Sequence, residues 1–303
     1  MKPRDIALAV AVAAVWGVNF VVIDIGLDHF PPLLFSALRF TLAAFPAVLF
    51  AGRPPTRWRW VIAVALALGV AKFSLLFAGM AAGMPAGLSS LVLQSQAVFT
   101  TAFAVVLLRE RPGRRRIAGL VVAALGIGVV AVRLGGDGLP AGAFGLVLGA
   151  AVAWGLSNVA TRRAAPTDPL RFMIWVSAVA AAPLAVLSLL VEGPAADLAA
   201  LRAIDAPAAG ALLFVALIST LAGFGGWGAL IKRYGASTVA PFSMLVPVFG
   251  LASAALLLGE AVHPTDLAGG VLVVGGVLVG VLGPARPVDT PAPAAGPLDR
   301  VGA

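Results

Sequence analysis

The chain has no cysteine and only two histidines, His29 and His263, in 303 residues. Without cysteine there is no disulfide, no thiolate metal site and no thiol nucleophile. Neither histidine stands in an H-E-x-x-H or H-x-H pattern, so no catalytic zinc is expected. No G-x-x-x-x-G-K-[ST] is present, so the chain carries no P-loop of its own for ATP hydrolysis. Charge is scarce as well: 11% of residues are charged and 61% hydrophobic, against about 25% and 45–50% in soluble domains. A soluble fold of this length cannot bury that much apolar surface. With a mean hydropathy of +1.04, the chain is read as an integral membrane protein.

Charge-free runs mark the spans, because a helix needs about 20 mostly apolar residues to cross the hydrocarbon. The first run, 6–23, is longer than the roughly 7–15 residues of a signal-peptide core, so it is read as a retained span. The run from 60 to 108, broken only by Lys72, holds two spans separated by a turn at Gly83, Met84, Pro85 and Gly87. Ten spans result, near 6–27, 31–51, 60–81, 86–108, 116–133, 141–161, 170–191, 209–231, 238–258 and 265–283. With the N-terminus inside, most of the 21 lysines and arginines fall in inside segments, from Lys2 and Arg4 through Arg109–Arg116 to Lys232 and Arg233. The outside loops keep Arg133 and Arg202, and Arg39 and Lys72 lie within spans. The net charge of +8 is therefore positive-inside topology, and no nucleic-acid partner is expected.

The chain also repeats. Ala86, Val98-Phe99, Glu110, Gly119 and Gly126 recur at one constant spacing as Ala236, Val248-Phe249, Glu260, Gly269 and Gly276. Trp16-Gly17 recurs at a shorter spacing as Trp154-Gly155, and an insertion near 193–205 accounts for the difference. The expected organisation is a first repeat at 6–133, a second at 141–283, and a Pro/Ala/Gly-rich, disordered cytoplasmic tail at 284–303. Five spans per repeat put the two copies in opposite orientations, the arrangement of many secondary transporters.

The same residues resemble a known family, the EamA-type transporters of the drug/metabolite transporter superfamily. The pointers are Trp16-Gly17-Val18-Asn19-Phe20, Pro31-Pro32 with Leu38-Arg39-Phe40, and Met84-Pro85-Ala86-Gly87 leading to Gln94-Ser95-Gln96. In the second half they are Trp154-Gly155, Leu245-Val246-Pro247-Val248 and Gly259-Glu260. The resemblance covers about residues 6–283 and is greatest to the bacterial exporters of O-acetylserine and cysteine. It implies an all-α fold of ten transmembrane helices in two inverted five-helix repeats, no cofactor, and export of small metabolites or drugs.

Polar groups in hydrocarbon are costly, so each needs a reason. Asn19 shares a helical face with Trp16 and either meets substrate or bonds a neighbouring helix. Arg39 either holds a carboxylate bidentately or pairs with Asp24 or Asp28. Lys72 lies near mid-membrane with no acid in a neighbouring run, so it is read as lining the cavity. Gln94 and Gln96 point about 200° apart, so one of them is expected to face the cavity. Ser243, between Pro241 and Pro247, and Trp154, Asn158, Trp175 and Trp227 complete the substrate-binding candidates. Glu110 and Glu260 are candidates for gating or coupling. Their structural alternatives are arginines 109, 111 and 114 for Glu110, and the start of span ten for Glu260.

The function read from these features is a secondary exporter of small polar metabolites, amino acids or their derivatives, working by alternating access. The alternatives are an exporter of lipophilic cations and a passive metabolite channel. No intramembrane catalytic constellation supports an enzyme. The expected partners are a small-molecule substrate and the lipid bilayer, with a homodimer left open. The expected location is a bacterial inner membrane, with both termini cytoplasmic.

Overall fold

The structure, a computed structural model, describes residues 1–136 and 141–281. The expected tail at 284–303 lies outside the described residues. Among those residues nine helices are long and apolar enough to cross a membrane: α1 Pro3–Leu27, α2 Pro32–Phe50, α3 Trp58–Ala81, α4 Ala86–Leu108, α5 Arg114–Gly135, α6 Ala141–Ala164, α7 Pro169–Val191, α8 Ala206–Tyr234 and α9 Ala240–Leu257. A shorter apolar helix, α10 Pro264–Gly280, takes the tenth place. The protein is all-α, and its helices fall where the charge-free runs lie. The insertion near 193–205 forms a short helix of its own, Pro194–Arg202, between α7 and α8.

Proline opens α1, α2 and α7 at the first helical position, where its missing N–H costs nothing. Asp168 and Asp205 cap the starts of α7 and α8 by accepting from the Arg171 and Ala208 N–H groups at 3.0 and 2.9 Å. The outward faces carry exposed Val106, Leu190 and Leu256, the surface that lipid requires. Inside, Phe35, Phe77, Phe73 and Phe40 form a chain of ring contacts with centroids 5.2–5.9 Å apart.

The two halves repeat in their irregularities as well as in sequence. π-helical turns occupy Ala65–Lys72 in α3 and Phe214–Ala222 in α8. Tight 3₁₀ segments occupy Leu93–Ser95 in α4 and Ala240–Leu245 in α9. Glycine contacts follow the same symmetry. A Cβ on Gly17 of α1 would meet Phe249 of α9 at 2.5 Å, and one on Gly155 of α6 would meet Phe99 of α4 at 2.8 Å. Where α5 crosses α10, a Cβ on Gly119 would lie 2.3 Å from the Gly276 carbonyl, and one on Gly126 would lie 2.7 Å from that of Gly269. Only glycine permits such backbone approach, which stands in for a hydrophobic drive that lipid does not supply.

Polar pairs sort to two ends of the bundle. At one end Arg233 pairs with Asp5, Arg162 with Glu110, and Thr56 donates to the Ala164 carbonyl. At the other end Arg133 pairs with Asp266, and His29 lies 3.7 Å from Asp205. Each pairing joins helix ends that the ten-span topology puts on one side.

Candidate functional site

Two cations lie in the interior, where sequence reasoning placed them, and they share one ring. Arg39 of α2 is 1% exposed and Lys72 of α3 is 6% exposed. The Arg39 guanidinium carbon is 4.0 Å from the Phe73 ring centroid, and the Lys72 Nζ is 3.4 Å from it. Lys72 also lies 5.1 Å from the ring of Trp154 on α6. Arg39 Nε donates to Thr220 Oγ1 at 3.0 Å, which ties α2 to α8 in the other repeat. The Thr220 hydroxyl donates to the Val215 carbonyl, five residues earlier within the π-helical turn. The second guanidinium arm of Arg39, at Nη1, is buried without a hydrogen-bond partner.

Asp24 and Asp28, weighed as partners of Arg39, form no ion pair with it. Thr220 and Phe73 take that place because α2 packs on α8 and α3 at that depth. Among the described residues no carboxylate pairs with Arg39 or Lys72. The positions that match them in the second repeat are Ser177 and Ala222. The scaffold is duplicated, but its charge is one-sided.

A neutral polar cluster lies on the same face of α6, one turn from Trp154. Asn158 Nδ2 donates to Gln96 Oε1 at 2.7 Å and to Thr100 Oγ1 at 3.1 Å, and Thr100 donates to Gln96 at 3.2 Å. Gln94 turns the other way, with Nε2 donating to the Ser243 carbonyl at 3.2 Å, so the two irregular segments of α4 and α9 are joined. The Ser243 hydroxyl serves its own backbone, donating to the Ala240 carbonyl. Asn19 is buried and its Oδ1 has no partner. Trp227 packs against Trp16 at 5.2 Å, and Trp16 Nε1 donates to the Ser219 carbonyl in the α8 π-turn. Trp175 lies apart, donating to the Gly52 carbonyl and facing Trp58.

The two matched glutamates lie at the ends, away from this centre. Glu260 accepts from the Ala86 and Gly87 N–H groups at 2.6 and 3.0 Å, capping α4 rather than the start of α10. Glu110 pairs with Arg162 at the end of α6, not with arginines 109, 111 or 114. Beside it Arg163 donates to the Leu107 carbonyl. A third carboxylate, Glu192, accepts from the Leu33 and Leu34 N–H groups at the start of α2.

The structure thus gathers Arg39 and Lys72 around Phe73 with Trp154 beside Lys72, joins Gln96 to Asn158 and Gln94 to Ser243, and leaves Glu110 and Glu260 at the ends. Phe73, Thr100 and Thr220 escaped sequence reasoning. A hydroxyl in an apolar span was the available signal for the two threonines. For Phe73, one of 16 phenylalanines, adjacency to Lys72 was the sole pointer.

A helical bundle of two inverted halves around a buried polar centre defines a secondary membrane transporter. The chain belongs to the EamA-like transporter family, whose model matches residues 4–132 and 142–282, one stretch in each half. It is 41% identical to a Salmonella typhimurium protein named "Probable amino-acid metabolite efflux pump", over 93% of this chain and 96% of that one. It is 31% identical to the "Probable terminal-alkyne amino-acid exporter" of Streptantibioticus cattleyicolor, over 91% and 94% of the two chains. A crystal structure at 20% identity superposes with a TM-score of 0.61, covering 93% of this chain and 99% of that one, which shows the fold.

Proposed function

We propose that this transporter exports amino acids or amino-acid metabolites that carry a carboxylate, and that Arg39 and Lys72 hold that carboxylate. The observation that carries the reading is the pair of buried cations on Phe73, one with an unpartnered guanidinium arm and neither with an acid. The effective cost of burying an ion is several kcal/mol, whereas a cation–π contact returns about 2 kcal/mol. An incoming anion supplies the balance, and a guanidinium fork with a nearby ammonium suits a carboxylate. The names of the Salmonella typhimurium and Streptantibioticus cattleyicolor relatives agree with this class of cargo.

Asn19, Gln94, Gln96, Trp154, Asn158, Trp227 and Ser243 shape the rest of the substrate path in this reading. Transport proceeds by alternating access. The end contacts made by Glu260 and Glu192 close one side, and those of Glu110 and Arg163 close the other. One set opens at a time, which is the gating role of the two matched glutamates. The N-terminus is cytoplasmic, the membrane is a bacterial inner membrane, and the protein performs no covalent chemistry.

The test is an efflux panel in liposomes holding the purified protein, loaded in turn with amino acids, acylated amino acids, sugars, purines and quaternary ammonium dyes. Saturable efflux and counterflow are expected for the carboxylates. Efflux of the dyes alone would overturn the proposal, and flux without counterflow would replace the transporter mechanism with a channel.

A further inference from the structure

We infer that the site selects cargo by net charge, preferring amino-acid derivatives that are anionic overall to zwitterions of the same skeleton. Such cargo has its amine masked by acylation or outweighed by a second acid. The inference rests on the carboxylate reading above and narrows it.

The centre holds two cations, no carboxylate among the described residues pairs with either, and most of those acids are committed elsewhere. Asp5, Glu110, Asp168 and Asp266 pair with arginines. Glu192 and Glu260 hold helix starts. Asp197 accepts from Ser188, and Asp205 accepts from the Ala208 N–H. Asp24 and Asp28, at the end of α1, pair with neither cation. A zwitterion adds no net charge, so the bound site stays doubly positive in a medium of low dielectric. A monoanion removes half of that charge and a dianion removes it all.

The amine of a zwitterion also finds no free seat around the Phe73 ring, where the two cations lie. An ammonium binds a carboxylate, an aromatic face or a free carbonyl oxygen. The Phe73 ring already has two cations within 4.0 Å, and Trp154 has Lys72. Gln96 Oε1 is taken by Asn158 and Thr100. An acylated amine brings a neutral amide instead, which can exchange hydrogen bonds with the Asn158–Gln96 pair without adding charge. The second repeat offers no counterweight, since Ser177 and Ala222 stand where the first repeat has Arg39 and Lys72.

The experiment compares alanine, N-acetylalanine, aspartate and 2,3-diaminopropionate as counterflow substrates for the purified full-length protein in liposomes. One like charge a few ångströms away at intermediate dielectric corresponds to about tenfold or more in affinity. N-acetylalanine and aspartate are therefore expected to exchange with at least about tenfold better apparent affinity than alanine, and diaminopropionate not at all. Lys72→Gln is expected to bring the N-acetylalanine to alanine ratio toward one. If alanine exchanges as well as N-acetylalanine in the wild type, the charge inference fails while the carboxylate reading stands. If no carboxylate compound exchanges, both fall. The wild-type ratio decides by itself if Lys72→Gln does not fold, and Arg39→Gln then serves as the variant.

Discussion

At the scale of residues, burial and partnering decide what a polar side chain can do. Asn158 and Gln96 are hydrogen-bonded to each other, so their polar atoms are satisfied whether or not cargo is present. Lys72 has aromatic faces and no acid, and its ammonium is a net cost to the fold. Lys72→Met should therefore leave expression and the thermal unfolding midpoint in detergent unchanged or raised, while weakening carboxylate transport at least about tenfold. Both are read on one purified preparation, and normal transport would remove Lys72 from the site. That Lys72 and Arg39 needed a reason was legible from the sequence, because charge in a hydrophobic span is rare by its cost. That they share Phe73 was not legible, because helix rotation about the membrane normal is set by neighbours.

At the scale of elements, the helices that the runs predicted are the helices that form. Apolar length and proline placement are local properties, so a linear sequence states them. The irregularities are less local. π-helical turns in α3 and α8 place Lys72 and Thr220 at the centre, and nothing in Ala65–Lys72 or Phe214–Ala222 marks an extra residue per turn. Helix capping is similarly divided. Asp168 and Asp205 cap their own helices at three residues' distance, as their spacing suggests. Proline precedes both α2 and α4, and neither has a side-chain cap of its own. Each borrows a carboxylate from the other half, from Glu192 and Glu260. Glu260→Ala should cost about 1 kcal/mol of stability, from loss of a charged N-terminal cap. A lowered unfolding midpoint in detergent is the expected result. An unchanged midpoint would show that the contact does not hold α4.

At the scale of the whole molecule, two inverted copies make one centre that neither contains alone. Arg39 reaches Thr220 across the repeats, and Gln94 reaches Ser243. The glycine approaches of α5 on α10 occur in matched pairs, as a pseudo-two-fold requires. The absence of cysteine makes the proposed orientation directly testable. Single cysteines at Arg111 and Lys232 should react with an impermeant maleimide only from the cytoplasmic side, and cysteines at Asp28 and Arg202 only from outside. The reverse pattern would invert the protein and turn the proposed cytoplasmic end contacts into outer ones.

The membrane location, the span limits, the duplication and the two unexplained cations were determined by the sequence itself. Each follows from a local sum, whether of hydropathy over a helix length, of basic residues over loops, or of identities at a constant spacing. Which side chains meet was decided by the tertiary structure. Thr220 as the partner of Arg39, Glu260 as the cap of α4 and Phe73 as the ring between two cations all depend on how distant helices turn toward one another. That rotation is fixed by close packing at Gly17, Gly155, Gly119 and Gly276, and close packing is a property of surfaces in contact, which no single stretch of sequence contains.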